Sequence, residues 1–123
     1  MSRILLVDDD DPFRHMLAIT LTKMGHEVME ARDGREGLQF SAAEPPDIVI
    51  TDLIMPEKEG LETIGTLRRT QPDVKIIAMS GGSRDTGIDF LSVARRLGAM
   101  RTLEKPFSPE ELAEAIQAVT SGG

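Results

Sequence analysis

Ile4-Leu5-Leu6-Val7, followed at once by Asp8-Asp9-Asp10-Asp11, is the stretch that decides the fold. Four apolar residues without alternation describe a strand buried on both faces, and the acidic run ends it abruptly. A strand of that kind belongs to a parallel sheet covered by helices on both sides. Working outward, the chain repeats the pattern. Phe13, Leu17, Leu21 and Met24 recur at helical spacing, Pro12 suits a first helical turn, and Gly25 stops the helix. Val28 to Ala31 reads as a second strand. Asp33-Gly34 opens a second helix that runs to about Glu44, where Pro45-Pro46 halts it.

Ile48-Val49-Ile50 is a third strand ending at Thr51-Asp52, and Glu59 to about Thr70 is a third helix with Leu61, Ile64 and Leu67 on one face. Val74 to Met79 is a fourth strand and Gly81-Gly82-Ser83 a loop. Phe90, Val93, Ala94 and Leu97 stripe a fourth helix closed by Gly98. Met100 to Leu103 is a weaker fifth strand. Ser108-Pro109-Glu110-Glu111 is a capping box that opens a last helix bearing Leu112, Ile116 and Val119. The expected architecture is α/β, a doubly wound (βα)₅ unit around a five-stranded parallel sheet. One domain is expected over residues 1–120, with residues 121–123 as a flexible tail.

Composition narrows the function. A chain of 123 residues buries roughly two-thirds of its unfolded surface, so one core suffices without staples. No cysteine is present, which excludes disulfides and thiolate-bound metals. The net charge of −7, with no basic stripe, argues against nucleic acid as a partner. No apolar run approaches the ~20 residues of a membrane span, and the short start lacks a signal-peptide core. The expectation is a cytoplasmic protein without membrane contact; the oligomeric state is left open.

In open α/β sheets, ligands bind beyond the carboxyl ends of the strands. Here those ends carry Asp8 to Asp11, Asp52, Ser80, and Lys105-Pro106. Converging carboxylates repel and raise one another's pKa, and a hard divalent cation relieves the repulsion. Mg²⁺ suits such a site because it takes carboxylate, phosphate and water oxygens. A carboxylate can also be a nucleophile that forms an acyl-phosphate, with Lys105 and Ser80 supplying positive charge and a donor.

The motifs Leu6-Val7-Asp8-Asp9, Thr51-Asp52-Leu53-Ile54-Met55-Pro56-Glu57-Lys58-Glu59-Gly60, Ala78-Met79-Ser80-Gly81 and Glu104-Lys105-Pro106-Phe107 resemble the receiver domain of two-component response regulators. The resemblance covers essentially the whole chain and is nearest to the single-domain type. It implies the flavodoxin-like receiver fold and phosphorylation of Asp52. Asp9 is by resemblance a direct Mg²⁺ ligand, joined by Asp52 and the main-chain carbonyl of Ile54, while Asp8 lies behind and reaches the metal mainly through water. Ser80 would donate to a phosphoryl oxygen, Lys105 would pair with its charge, and the Lys105–Pro106 bond would be cis. The implied donor is a phosphohistidine on a sensor histidine kinase or histidine phosphotransfer protein. The implied readout is an unidentified protein output partner. Such a domain catalyses only its own phosphorylation and dephosphorylation. One departure stands out: receivers usually carry Tyr or Phe three residues before the lysine, and this chain has Thr102. With no aromatic ring to turn, two switches are open: Ser80 moves toward the phosphoryl group with a small shift of the Thr102 hydroxyl, or the Gly81-Gly82-Ser83 loop changes its backbone, and the loop is the favoured one.

Plainer readings exist for each residue alone. Aspartate runs are commonly solvated, and Asp10 and Asp11 are read so, with Asp11 capping the first helix. His15 and His26 read as surface or satisfied histidines, and the methionines as core fillers. Two rival functions are a receiver-like interaction module without chemistry and an aspartate-dependent phosphohydrolase. The second is suggested by Asp8-x-Asp10, which is similar to the haloacid dehalogenase motif. Pro12 and the lack of a cap-domain insertion speak against it.

Overall fold

The computed structural model describes residues 2–53, 59–81 and 90–121. Five strands and five helices alternate: β1 (Arg3–Val7), α1 (Asp11–Lys23), β2 (Glu27–Ala31), α2 (Gly34–Ala43), β3 (Ile48–Asp52), α3 (Glu59–Thr70), β4 (Lys75–Ser80), α4 (Phe90–Leu97), β5 (Arg101–Glu104) and α5 (Pro109–Ser121). All pairings are parallel, in the order β2-β1-β3-β4-β5. The doubly wound parallel sheet expected from the sequence is the one that forms.

Apolar runs without alternation are explained by two cores, one on each face. Ile4, Leu6, Ile48, Ile50, Ile77, Met79 and Leu103 pack with Leu17 and Leu21 of α1 and with Leu112, Ile116 and Val119 of α5. Leu5, Val7, Val49, Ile76 and Ala78 face the other way, with Ile64 and Leu67 of α3 and Ala94 of α4. Successive strand residues point to opposite faces, so both sets must be apolar. The same period of two carries past the strand ends. Asp52 follows Ile48 and Ile50, Asp8 follows Ile4 and Leu6, and Lys105 follows Leu103. All three are aimed toward the α1–α5 side.

Helix ends obey local chemistry, with differences from the expected assignments. Asp33 caps α2 by accepting from Glu36 N–H at 2.8 Å. Ser108 and Glu111 cap α5 reciprocally, each side chain accepting the other's N–H at 3.1 Å. The cap of α1 is Asp10, whose Oδ1 accepts from Phe13 N–H at 3.1 Å, and not Asp11, which is the first helical residue. Pro12 therefore lies one position deeper than expected, still within the turn whose N–H groups need no helical partner. Gly25 and Gly98 end α1 and α4 at φ of +96° and +130°, where a Cβ would be strained. Ser121, placed in the tail by its composition, is the last residue of α5 and donates to Gln117 O at 2.6 Å. Met79 is a core residue, but Met16, on the solvent side of α1, is 56% exposed, and Met100, expected to open the fifth strand, lies in the turn before β5 and is 45% exposed. The α4 stripe is also narrower than expected: Ala94 is buried while Leu97 is exposed.

Candidate active site

The acidic run begins where β1 stops, so its first residue is still inside the fold. Asp8 is fully buried and Asp9 is exposed. Asp52, the last residue of the neighbouring strand β3, is 5% exposed. One carboxylate oxygen from each of Asp8, Asp9 and Asp52 lies within 4.8 Å of the others. That separation is far shorter than the screening length of physiological salt, and two of the three groups are shielded from water. An arrangement of three hard oxygen donors fits Mg²⁺, and it is unfavourable without positive charge.

Lys105 supplies part of that charge. Its Nζ donates to Asp8 Oδ2 at 2.8 Å and lies 3.6 Å from Asp52 Oδ2. It also sits 4.2 Å above the ring centroid of Phe13, which meets Phe107 edge to face at 6.0 Å. The ammonium is thus held between two carboxylates and an aromatic face, a firmer seat than a surface turn provides. Its peptide bond to Pro106 is cis, as the family pattern implies. Ser80 ends β4 beside Asp52 and is 6% exposed; its carbonyl accepts from Lys105 N–H at 2.8 Å, tying the ends of β4 and β5 together. Ile54 lies outside the described residues, as do Gly82 and Ser83.

Asp8 has every polar atom engaged. Its N–H donates to Ala31 O at 3.1 Å, and its Oδ1 accepts from Asp10 N–H at 2.9 Å. Its carbonyl accepts from Arg14 Nη1 at 2.8 Å. Arg14 was not singled out in the sequence, although a signal was present. Arg14, Leu17, Ala18 and Leu21 follow i, i+3, i+4, i+7, so a cation stands on the buried stripe of α1. Burial disfavours its charge, but hydrogen bonds to Asp11 and Glu30, and their charges, outweigh this and raise its pKa. Asp11 Oδ1 lies 2.6 Å from Nη1 and Glu30 Oε1 3.0 Å from Nε. His15 Nδ1 lies 2.7 Å from the same Glu30 oxygen. His26 is satisfied elsewhere, with Nδ1 accepting from Ser2 N–H at 3.1 Å.

Beyond the acidic centre, Thr102 Oγ1 accepts from Arg95 Nη2 at 3.2 Å. A cavity of about 180 Å³ lies beside it, lined by Arg101, Thr102, Leu103, Glu111, Glu114 and Ala115.

The family description "response regulator receiver domain" matches residues 4–117. The chain belongs to the response regulator receiver family. As a receiver domain of two-component systems it is 38% identical over 121 residues to response regulator MprA of Mycolicibacterium vanbaalenii, covering 95% of this chain and 49% of MprA. The receiver thus spans about half the length of that relative. It is 36% identical to chemotaxis protein CheY of Thermotoga maritima, covering 96% of this chain and 97% of CheY. Among solved structures it is similar to response regulator TrrA of Thermotoga maritima in complex with Mg²⁺–BeF. The TM-score is 0.83 at 32% identity, covering 97% of this chain and 99% of TrrA. The receiver family is not a family of conventional enzymes. Among the described residues no helix is long and apolar enough to cross a membrane.

Proposed function

We propose that this receiver accepts a phosphoryl group on Asp52, with Mg²⁺ beside it, and thereby switches binding to an output partner. The observation that carries this reading is the meeting of Asp8, Asp9 and Asp52 within 4.8 Å around the ammonium of Lys105. Asp52 is the acceptor because it ends a strand flanked by neighbours on both sides, with Asp8 and Asp9 to one side and Ser80 to the other. Its carboxylate oxygen bonds to phosphorus as the P–N bond of a phosphohistidine breaks, and the electron pair leaves with the imidazole nitrogen. Water later cleaves the acyl-phosphate and restores Asp52.

Asp9, Asp52 and the carbonyl of Ile54 would hold Mg²⁺, with Asp8 behind them. The ion would neutralise charge shared between the carboxylates and the incoming phosphoryl oxygens. Lys105 would shift from pairing with two carboxylates to pairing with the phosphoryl group. Ser80 would donate its hydroxyl. The Mg²⁺–BeF complex of a relative at 32% identity supports a divalent cation at this centre. The donor class is a sensor histidine kinase or histidine phosphotransfer protein. The output partner reads the surface around Arg95, Arg96, Arg101 and Thr102, and the setting is the cytoplasm.

Incubation with acetyl phosphate and Mg²⁺ tests the reading. Phosphate incorporation is expected, and either Asp52→Asn or chelation by EDTA should abolish it. A wild-type protein that incorporates none would instead be a receiver-shaped interaction module.

A further inference from the structure

Arg14 is a charged side chain, 4% exposed, that the acceptance chemistry does not use. Its placement is specific. The carbonyl it holds at 2.8 Å belongs to the peptide joining Asp8 to Asp9. The plane of that peptide sets the direction in which the backbone leaves β1, and so where the Asp9 carboxylate stands. Among the described residues no other hydrogen bond or ion pair fixes Asp9, which is exposed, while Asp8 is anchored at four atoms. Arg14 is itself anchored: Asp11 Oδ1 at 2.6 Å and Glu30 Oε1 at 3.0 Å hold the two sides of its fork. These anchors come from α1 and β2, so the peptide is tied to rigid elements of the fold.

We propose that Arg14 is a positioning residue for the cation site, presenting Asp9 to the divalent ion by fixing the Asp8–Asp9 peptide, with Glu30 and Asp11 holding the guanidinium in place. This rests on the reading of Asp8, Asp9 and Asp52 as the Mg²⁺ centre. Groups behind metal ligands commonly change affinity by 10–100-fold when removed. Arg14 acts through the backbone of one ligand, which places it at the lower end of that range.

The test uses the full chain without phosphoryl donor. Amide shifts of residues 8–10 and 52 are followed while MgCl₂ is added, and thermal midpoints are recorded in parallel without Mg²⁺. Arg14→Met keeps the aliphatic stem and removes every donor; its Mg²⁺ affinity should fall about tenfold. Arg14→Lys keeps a charge but has one donor group for three acceptors, and its affinity should fall about threefold, a partial rescue. If Arg14→Met does not fold, Arg14→Lys carries the test. Both variants should lose stability, so the midpoint alone decides nothing. A folded variant that binds Mg²⁺ as tightly as wild type, however low its midpoint, overturns the proposal. A wild-type protein whose amides ignore Mg²⁺ overturns the reading of the centre itself, before any variant is compared.

Discussion

Asp8 stands between two charged clusters whose balance differs. On its side-chain flank, three carboxylates converge and, among the described residues, one ammonium, that of Lys105, meets them. On its main-chain flank, the buried cation Arg14 is met by Asp11 and Glu30, and His15 closes on the same Glu30 oxygen. The second cluster is nearer to balance: the one buried guanidinium has acceptors for its donors, and its two carboxylates both reach solvent. Among the described residues, the first carries more negative than positive charge. A surplus of like charge in a shielded spot costs stability and persists only where something uses it. Burial and short distances are common to both clusters, and the balance of charge separates machinery from scaffold.

The difference predicts opposite responses to mutation. The largest effect is expected at Lys105. Lys105→Ala leaves the fully buried Asp8 without its cation and removes the contact with Phe13. Orphaning a buried charge typically costs about 3–5 kcal/mol, and with a side chain 18% exposed roughly 2–3 kcal/mol is expected in metal-free protein. Denaturant unfolding should show that loss, and millimolar Mg²⁺ should recover part of it. The phosphorylated variant should also keep the amide spectrum of the unphosphorylated state around Thr102. A variant as stable as wild type would mean that Asp8 is not held as a charge.

Next in size is the response to Mg²⁺. Ligand bound only to the native state should stabilise wild type by roughly 1–3 kcal/mol at ten to a hundred times Kd. Asp9→Ala should lose this response and raise the metal-free stability, by up to about 1 kcal/mol, the size of a like-charge pair near 4 Å in water. Glu30→Ala should do the reverse. It removes an acceptor from the Arg14 cluster and should lower stability by about 1 kcal/mol, with Asp11 still on Arg14. If both variants shift stability in the same direction, the contrast between the clusters is wrong.

The smallest effect lies outside both clusters. Burial, and then the charge of the chain's amino terminus, push the His26 pKa below the ordinary imidazole value. The unfolded chain therefore binds a proton at higher pH than the folded one does. The His26 contribution is fully present above the unfolded pKa and is lost as pH falls through the folded one. His26→Asn, which keeps an acceptor near the position of Nδ1, should flatten that acid-side loss in thermal midpoints recorded through the histidine range. An unchanged slope would place the pH dependence elsewhere.

The parallel sheet was legible because its three central strands, β1, β3 and β4, are built on unbroken apolar runs, and such runs are stable only when covered on both faces. The site was legible because the polar residues that end those runs are all chemically useful types. Two features resisted reading for physical reasons. The cap of α1 slipped by one residue because Asp10 and Asp11 have the same capping chemistry, and only backbone geometry chooses between them. Arg14 was hidden because its acceptors lie apart in sequence: Glu30 comes from β2, and the Asp8 carbonyl is a main-chain atom that residue type cannot reveal. Thr102 was noticed as a departure, but the hydrogen bond from Arg95 that occupies its hydroxyl depends on how α4 lies against β5. The Gly81-Gly82-Ser83 loop, the favoured switch, lies mostly outside the described residues.

The central claim is that the surplus charge serves phosphoryl acceptance at Asp52. Peptide mapping by mass spectrometry, after brief treatment with acetyl phosphate and Mg²⁺, tests it most directly. The account predicts one added phosphoryl group per chain, on the peptide containing Asp52, absent without Mg²⁺ and lost on mild base treatment as an acyl-phosphate should be. A label on Asp8, Asp9 or Ser80, or one that forms equally well without Mg²⁺, would contradict it.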